Sequence, residues 1–432
     1  MKGQGFESPA IKDLSNKTVI EPFAPFLLRN YRRLWPGDLL TSWAFEMENI
    51  VLGWYILVES GSVLLLTVFG SLLYLGTLVS PVFGVLGDRM GHRKLLCLMR
   101  GVYILLSLLL LFLAFADSLD PIVVLQISAL TGIVRPSDLA IRGALVTEIV
   151  QPRQLTSALS ISRTTTDSAR IAGALTGASV FAVVGLQYAY IIVVCLYLAG
   201  LLLTLSVGSS KYSETEESLS SMPRATSWRD FLGGMSYVWR TPHILAAMWV
   251  AFVVNLTAFP FCIGLLPYVA KEIYSADQTG LGYIAASFAL GALLGSLMLS
   301  VIGNRIRPAR MMIIFAVIWN LLIAVFGMTD GLMSGIFVLV LSGLAQSLSL
   351  LPLAVMLMRT SDRKYRGLVM GVRMLAIYGL PVGLLIAGAL ISHFGFRFTA
   401  LLYGVVGVSS ILAIVIISRR HIWSLNAEAN ST

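Results

Sequence analysis

Two apolar runs, residues 63–82 and 95–116, flank one short basic stretch: Gly84-Val85-Leu86-Gly87-Asp88-Arg89-Met90-Gly91-His92-Arg93-Lys94. The upstream run has Ser71 and Tyr74 as its most polar members, and the downstream run carries one charge, Arg100, close to the basic stretch. About twenty apolar residues make a helix long enough to cross the hydrocarbon core of a bilayer. Glycine permits a tight reversal between two such helices, and cations hold the turn among cytoplasmic headgroups. The sequence therefore encodes a membrane-spanning hairpin with a cytoplasmic turn.

The rest of the chain repeats that pattern. At 57% hydrophobic and 12% charged residues, with a mean hydropathy of +0.84, a water-soluble fold is excluded. The net charge of +9 raises a nucleic-acid partner, so the placement of the cations decides. Of 31 Lys and Arg, only Lys271 and Arg397 fall in loops assigned to the outer side. That is the positive-inside pattern, and the excess charge faces anionic lipid, not nucleic acid. Cys97, Cys195 and Cys262 lie inside apolar runs without a CxxC, as packing residues do, so neither a disulfide nor a metal site is expected. The first two dozen residues mix Lys2, Lys12 and Lys17 with Glu7, Asp13 and Glu21 and have no apolar core, so the first span is expected to act as the targeting signal. No G-x4-G-K-[ST] phosphate loop, nucleophile–base pair or metal spacing stands out, so neither an ATP-driven pump nor an enzyme is expected, and no cofactor.

Twelve spans are expected, near 34–58, 63–86, 95–116, 121–147, 156–184 and 187–207, then 243–266, 280–302, 311–328, 332–357, 367–392 and 396–418. This gives a cytoplasmic segment 1–33, a six-helix bundle 34–207, a linker 208–242, a second bundle 243–418 and a tail 419–432. Arg29, Arg32 and Arg33 place the N-terminus inside, and even parity returns Arg419 and Arg420 to the same side. In the linker, Trp228, Phe231, Leu232, Met235 and Trp239 recur at helical spacing, which fits an interfacial amphipathic helix or the start of span seven. Gly303-Asn304-Arg305-Ile306 with Arg310 echoes Gly87-Asp88-Arg89-Met90 with Lys94, each between the second and third spans of its half. An all-α membrane protein of two pseudo-symmetric six-helix bundles follows, with a substrate site between them near the midplane.

The spacing G-x3-D-R-x-G-x-R-K resembles the signature loop between helices 2 and 3 of the major facilitator superfamily of secondary transporters, His92 being a departure from its usual Arg or Lys. Further likeness lies in Arg32-Arg33-Leu34-Trp35, Trp54, the stretch from Leu145 to Val150 with Leu155, Ala158, Ala169-Arg170-Ile171 with Gly173, Tyr237 to Pro242, Leu266 to Val269 and Gly280-Leu281-Gly282. These resemble the drug:proton antiporter-3-like exporters, the group that includes the enterobactin exporter type. Ala174 stands where many of that group have Pro. The resemblance implies a proton-coupled exporter of small amphipathic molecules, monomeric, in a bacterial inner membrane. An exporter of an anionic metabolite such as a siderophore, or a non-transporting scaffold or receptor on the same fold, are the alternatives. It also implies that Asp88 faces the N-terminus of helix 11, near Tyr365-Arg366-Gly367, and locks the outward-facing form. Gly84, Asp88, Arg89, Gly91, Arg93, Lys94 and Glu148 form the gating group, with Arg93 and Glu148 paired.

Ionisable groups inside spans cost about 2.5–3.5 kcal/mol each on insertion scales, so each needs a reason. Glu46 and Glu48 of span one lie about 200° apart on a helix. Glu46 shares a small, polar face with Ser42, Asn49 and Gly53, so it is the first candidate for a proton carrier and Glu48 the second. Arg135, Asp138 and Arg142 share one face of span four; Arg163, Asp167 and Arg170 share one face of span five. A turn centred near Pro152 would set Arg135 level with Arg170, Asp138 with Asp167 and Arg142 with Arg163. Such triads form either an ionic staple or an anion site, with Asp138 and Asp167 as further proton candidates and Arg135 and Arg170 nearest the midplane. Spans seven to twelve hold no acid; Asn255 and Gln346 are their cavity candidates, within a wall of Gly and aromatics.

The charge pattern makes a testable statement about topology. A cysteine replacing Arg363 should resist membrane-impermeant maleimide in intact cells and react after permeabilisation; labelling of intact cells would reverse the assigned sidedness.

Overall fold

The computed structural model describes residues 23–77, 79–151, 154–208, 235–302, 307–362 and 365–418. The chain runs as α1 (Arg29–Ser60), α2 (Val63–Leu72), α3 (Ser80–Met90), α4 (His92–Phe115), α5 (Pro121–Ile149), α6 (Leu155–Val184) and α7 (Leu186–Leu205) in its first half. The second half gives α8 (Pro242–Thr257), α9 (Gln278–Ile302), α10 (Pro308–Phe326), α11 (Leu332–Thr360), α12 (Arg366–Leu375), α13 (Gly379–Phe394) and α14 (Phe396–Ile417). No strand occurs among the described residues. Nine helices there are long and apolar enough to cross a membrane, and α2 with α3 makes a tenth, bent by 51°. α1, whose Glu46, Glu48 and Asn49 dilute its hydropathy, and α8 with its broken continuation complete twelve crossings. The linker between residues 209 and 234, the second loop copy at 303–306, Arg153, Arg363 and the tail from 419 lie outside the described residues. Of the expected interfacial helix only residues 235–240 are described, and they are helical.

The breaks have local causes. Pro81 lies in the first turn of α3, so the second span does not run unbroken from α2 into α3; a 3-10 turn at Leu75–Thr77 lies in the bend. Span seven stops at Thr257, then passes through short turns at Phe259–Cys262 and Leu266–Tyr268, each opened by a proline, and a π-helical turn at Val269–Ile273. The basic loop is shorter than its sequence implies. Gly84 and Gly87 are helical, and the whole reversal is made by Gly91, at φ +88°. That backbone angle is strained for any residue with a Cβ. The same device recurs at corresponding joints of the halves: Gly185 (φ +87°) between α6 and α7, and Gly395 (φ +80°) between α13 and α14. The repeat is therefore visible in backbone angles.

Glycines set the closest helix contacts in both halves. In the second half, α9 and α11 touch backbone to backbone: a Cβ on Gly343 would stand 2.0 Å from the Phe288 carbonyl oxygen, and one on Gly291 would stand 2.0 Å from that of Val340. Trp319, fully buried, meets Phe259 edge to face at 4.8 Å in the same core. Close approach through small residues is how helices associate where lipid removes the hydrophobic drive. Gly343→Ala should therefore force α9 and α11 apart, at about 1–3 kcal/mol, and lower the unfolding midpoint in detergent. Gly101→Ala on α4, where a Cβ meets open space, is the control and should leave the midpoint unchanged or higher.

Candidate functional site

Asp38 is buried near the start of α1. It accepts a hydrogen bond from Arg100 Nη2 of α4, and Arg142 Nε of α5 lies 3.6 Å from the same oxygen. Arg142 donates in turn to Asp138 Oδ2 at 2.8 Å and to Ser42 Oγ at 3.0 Å. Arg100 also donates to the Gly200 carbonyl at 3.1 Å and to Thr204 Oγ1, both on α7. Two carboxylates and two guanidiniums thus balance within one buried group that ties α1, α4, α5 and α7. Sequence reading passes over Asp38 and Arg100, because each lies close to the end of an expected span, where a charge can reach headgroups. The usable signal was the tally on spans four and five: four Arg against two Asp require acids from elsewhere.

The triads do not meet each other as the hairpin estimate has it. Asp138 pairs with Arg142 of its own helix, and Arg163 Nε lies 3.2 Å from Asp167 Oδ2, also within one helix. Arg170 reaches α1 instead, with Nε 3.6 Å from Glu46 Oε1. The cause is Gly173 and Gly177. A Cβ on the first would stand 2.6 Å from Glu46 Cβ and one on the second 3.0 Å from Met47 Cα, so α6 rides directly on α1. Trp35 and Trp43 of α1 donate to Thr165 and Thr176 of α6, each at 2.8 Å, along the same contact.

Arg135 is left without a carboxylate among the described residues. Its guanidinium carbon stands 3.2 Å from the Phe45 ring centroid, and its Nη1 is buried with no hydrogen-bond partner. A cation over an aromatic face gains about 0.5–2 kcal/mol, but the ring cannot accept every N–H. Glu48, also buried, accepts from Tyr197 OH at 2.8 Å and Tyr190 OH at 3.3 Å, both on α7. Asn49 and Glu48 border a small cavity within the first bundle. Asn255 and Gln346 bond within their own helices and not to these groups. Asn255 Nδ2 donates to Ala251 O at 2.8 Å, and Gln346 Oε1 accepts from Ser347 Oγ at 3.4 Å. Polar side-chain pairs that do form in the second half include Thr257 with Asn320, at 2.7 Å, and Tyr274 with Thr329, at 2.6 Å.

At the Gly91 turn, His92 takes the place expected for Arg93. His92 Nδ1 lies 2.5 Å from Glu148 Oε1, and its Nε2 lies 3.6 Å from Asp88 Oδ1. Arg93 instead donates to the Leu205 carbonyl. Histidine wins because it is the first residue of α4 and turns inward beside Gly87, whereas Arg93 points toward the end of α7. The side chains at 366–368, opposite which Asp88 is expected, lie outside the described residues.

The opposite end of the molecule joins the two bundles. Ser71 Oγ of α2 donates to the Pro381 carbonyl of α13 at 3.1 Å. A Cβ on Gly388 would stand 2.1 Å from Thr67 Oγ1, one on Gly282 would stand 2.6 Å from Ala178 Cβ, and one on Gly53 would stand 3.2 Å from Pro267 Cγ. This seam of small residues seals the end away from Gly91.

Residues 20–431 match the family model described as transmembrane secretion effector. Among solved structures, a point mutant of nucleoside transporter NupG superposes with a TM-score of 0.71 at 14% identity, covering 89% of this chain and 98% of that one. The same transporter without that mutation gives 0.69 at 12% identity, covering 90% and 99%. A D-xylose–proton symporter gives 0.67 at 14% identity, covering 89% and 96%. At such identities the likeness is one of fold. The search of curated proteins finds no match.

The buried quartet generates a stability prediction. Arg100→Gln strands Asp38 beside a single shared arginine and should cost about 3–5 kcal/mol, read as a lower unfolding midpoint. Adding Asp38→Asn removes both charges and should recover most of the loss. A double variant as damaged as the sum of the two singles would show that the groups act independently.

Proposed function

The chain belongs to the transmembrane secretion effector family and is a multi-pass membrane transporter of the major facilitator superfamily; from that premise we propose a proton-coupled exporter of small amphipathic molecules. Its cargo path runs between the two bundles. One wall carries Glu46, Arg170, Arg135 and Asn49, and the other is formed by the acid-free spans of the second half with Asn255 and Gln346. The protein acts as a monomer in a bacterial inner membrane, with both termini and the basic loops on the cytoplasmic side.

The observation that supports this reading best is the placement of carboxylates on α1. Glu46 and Glu48 both sit deep in an apolar span, and neither belongs to the structural quartet around Asp38. Acids at that depth are commonly the relay of a proton-driven carrier. Asp138 and Asp167, each held by an arginine of its own helix, serve the same circuit as fixed counter-charges. The turn group Gly84, Asp88, Arg89, Gly91, Arg93, Lys94 and Glu148 works as the cytoplasmic gate, with Asp88 aimed at the start of α12. His92, between Glu148 and Asp88, links that gate to α5.

A second reading, export of an anionic metabolite, is favoured by Arg135 alone. Its buried and unfilled N–H is a ready donor for a carboxylate or catecholate.

Everted membrane vesicles decide between the readings. An imposed pH gradient should drive accumulation of an amphipathic cation such as ethidium, and its collapse should abolish it. Arg135→Gln should give a well-expressed, monodisperse protein with transport reduced roughly tenfold or more, the loss of about 1.4 kcal/mol or more of cargo interaction. Anionic cargo, probed with an iron-free catecholate, should suffer more than ethidium. Aggregation of the variant would make Arg135 a structural group, and unchanged movement of both probes would remove it from the path.

A further inference from the structure

Glu46 and Glu48 stand two residues apart on α1, yet their surroundings differ in kind. Glu46 has a guanidinium 3.6 Å away, so its charge is already balanced by Arg170. Glu48 has two phenols. Tyr197 OH donates to one carboxylate oxygen at 2.8 Å and Tyr190 OH to the other at 3.3 Å, and no cation lies within salt-bridge distance of it among the described residues. Among the described residues the charge that acts on it is that of Arg135 of α5, whose guanidinium lies over the Phe45 ring. α4 brings Tyr103, tilted against Tyr197 at 5.6 Å between ring centroids, and α6 brings Arg170 only to Glu46. α2 has no ionisable side chain.

Beside Glu48 lies a cavity of about 10 Å³, bordered by Asn49, Ser128 and Thr131 and by apolar side chains of α1, α2, α4 and α5. That is at the lower limit for one water molecule. Ser128 Oγ is buried at the cavity with no hydrogen-bond partner, although its neighbour Thr131 is satisfied by the Ile127 carbonyl. A cavity of that size with one orphaned hydroxyl and an acid holding unused lone pairs meets the requirements of a structural water.

We propose that Glu48 takes up and releases the coupling proton, through one water held between its carboxylate and Ser128. The inference rests on the proton-coupled reading given above. On uptake, a hydronium ion arriving at the water position gives its proton to the carboxylate: one O–H bond breaks on the hydronium, one forms on Glu48, and neutral water remains. The oxygen facing Tyr190 is the acceptor, because its existing hydrogen bond is the longer of the two. Tyr197 keeps its grip on the other oxygen in both states and so orients the acid. Release reverses the step. Neutral donors can hold the anion without preventing its protonation, whereas a paired guanidinium would have to be separated first. Glu46 is then the fixed partner of Arg170, a positioning residue that keeps α6 on α1.

The test needs no cargo. Infrared difference spectra of the full-length protein in lipid, acid minus alkaline, should contain the C=O stretch of a buried carboxylic acid. Glu48→Gln should abolish that band, Glu46→Gln should keep it, and Tyr197→Phe should shift its frequency by removing one hydrogen bond. Ser128→Ala should shift its midpoint on titration by removing the water's second anchor. A band that titrates in the wild type and survives Glu48→Gln overturns the assignment while leaving proton coupling intact. No titrating carboxyl band in the wild type removes both. Should Glu48→Gln not fold, an unmoved band in Tyr197→Phe overturns the proposal by itself.

Discussion

A guanidinium inside a bilayer has no water to fall back on, so its position is decided by where a carboxylate can be brought to it. Asp38 is that carboxylate for two arginines at once, Arg100 of α4 and Arg142 of α5. Because Arg100 also holds Gly200 and Thr204 of α7, one buried acid orders four of the six crossings of the first half. Everything placed higher on α1 inherits that order: Glu46 toward α6, Glu48 toward α7, and Phe45 under Arg135. The helix with the most internal charge is for this reason the hub of its bundle.

The second half solves the same packing problem without charge. Its close contacts are made by glycine, as at Gly291 and Gly343, and its interior polar bonds join neutral groups, as Thr257 with Asn320 and Ser349 with the Met312 carbonyl. The seam between the halves is apolar, with a side-chain hydrogen bond between Ser71 and Pro381 among the described residues and a row of small residues. The Gly91 end is organised differently, by His92 between Glu148 and Asp88.

Much of the site was visible in residue types and spacing, but its pairing was not. Arg-Asp-Arg on one helix face is a local pattern, and the bonds Arg142–Asp138 and Arg163–Asp167 are local as well. Which further acid completes each set depends on which helix lies nearest. Chain order makes α5 the neighbour of α6, whereas Gly173 and Gly177 dock α6 on α1. The two tyrosines that hold Glu48 are 142 and 149 residues away along the chain and look in sequence like ordinary interfacial or packing aromatics.

The amino-acid sequence by itself determined the twelve crossings, their grouping in two halves and the charged-against-apolar contrast between those halves. Each of these follows from hydropathy and charge along the chain, which need no partner to be read. It also marked the glycine-bearing stretch 84–94 as a reversal, whereas only the structure placed the turn at Gly91. Only the tertiary structure decided that Asp38 and Arg100 belong to the ionic core, that His92 and not Arg93 meets Glu148, and that Glu46 is paired while Glu48 is not. Those outcomes depend on distances of a few ångströms between helices, and such distances are set by where two backbones can approach, a property of pairs of helices that no single stretch of sequence contains.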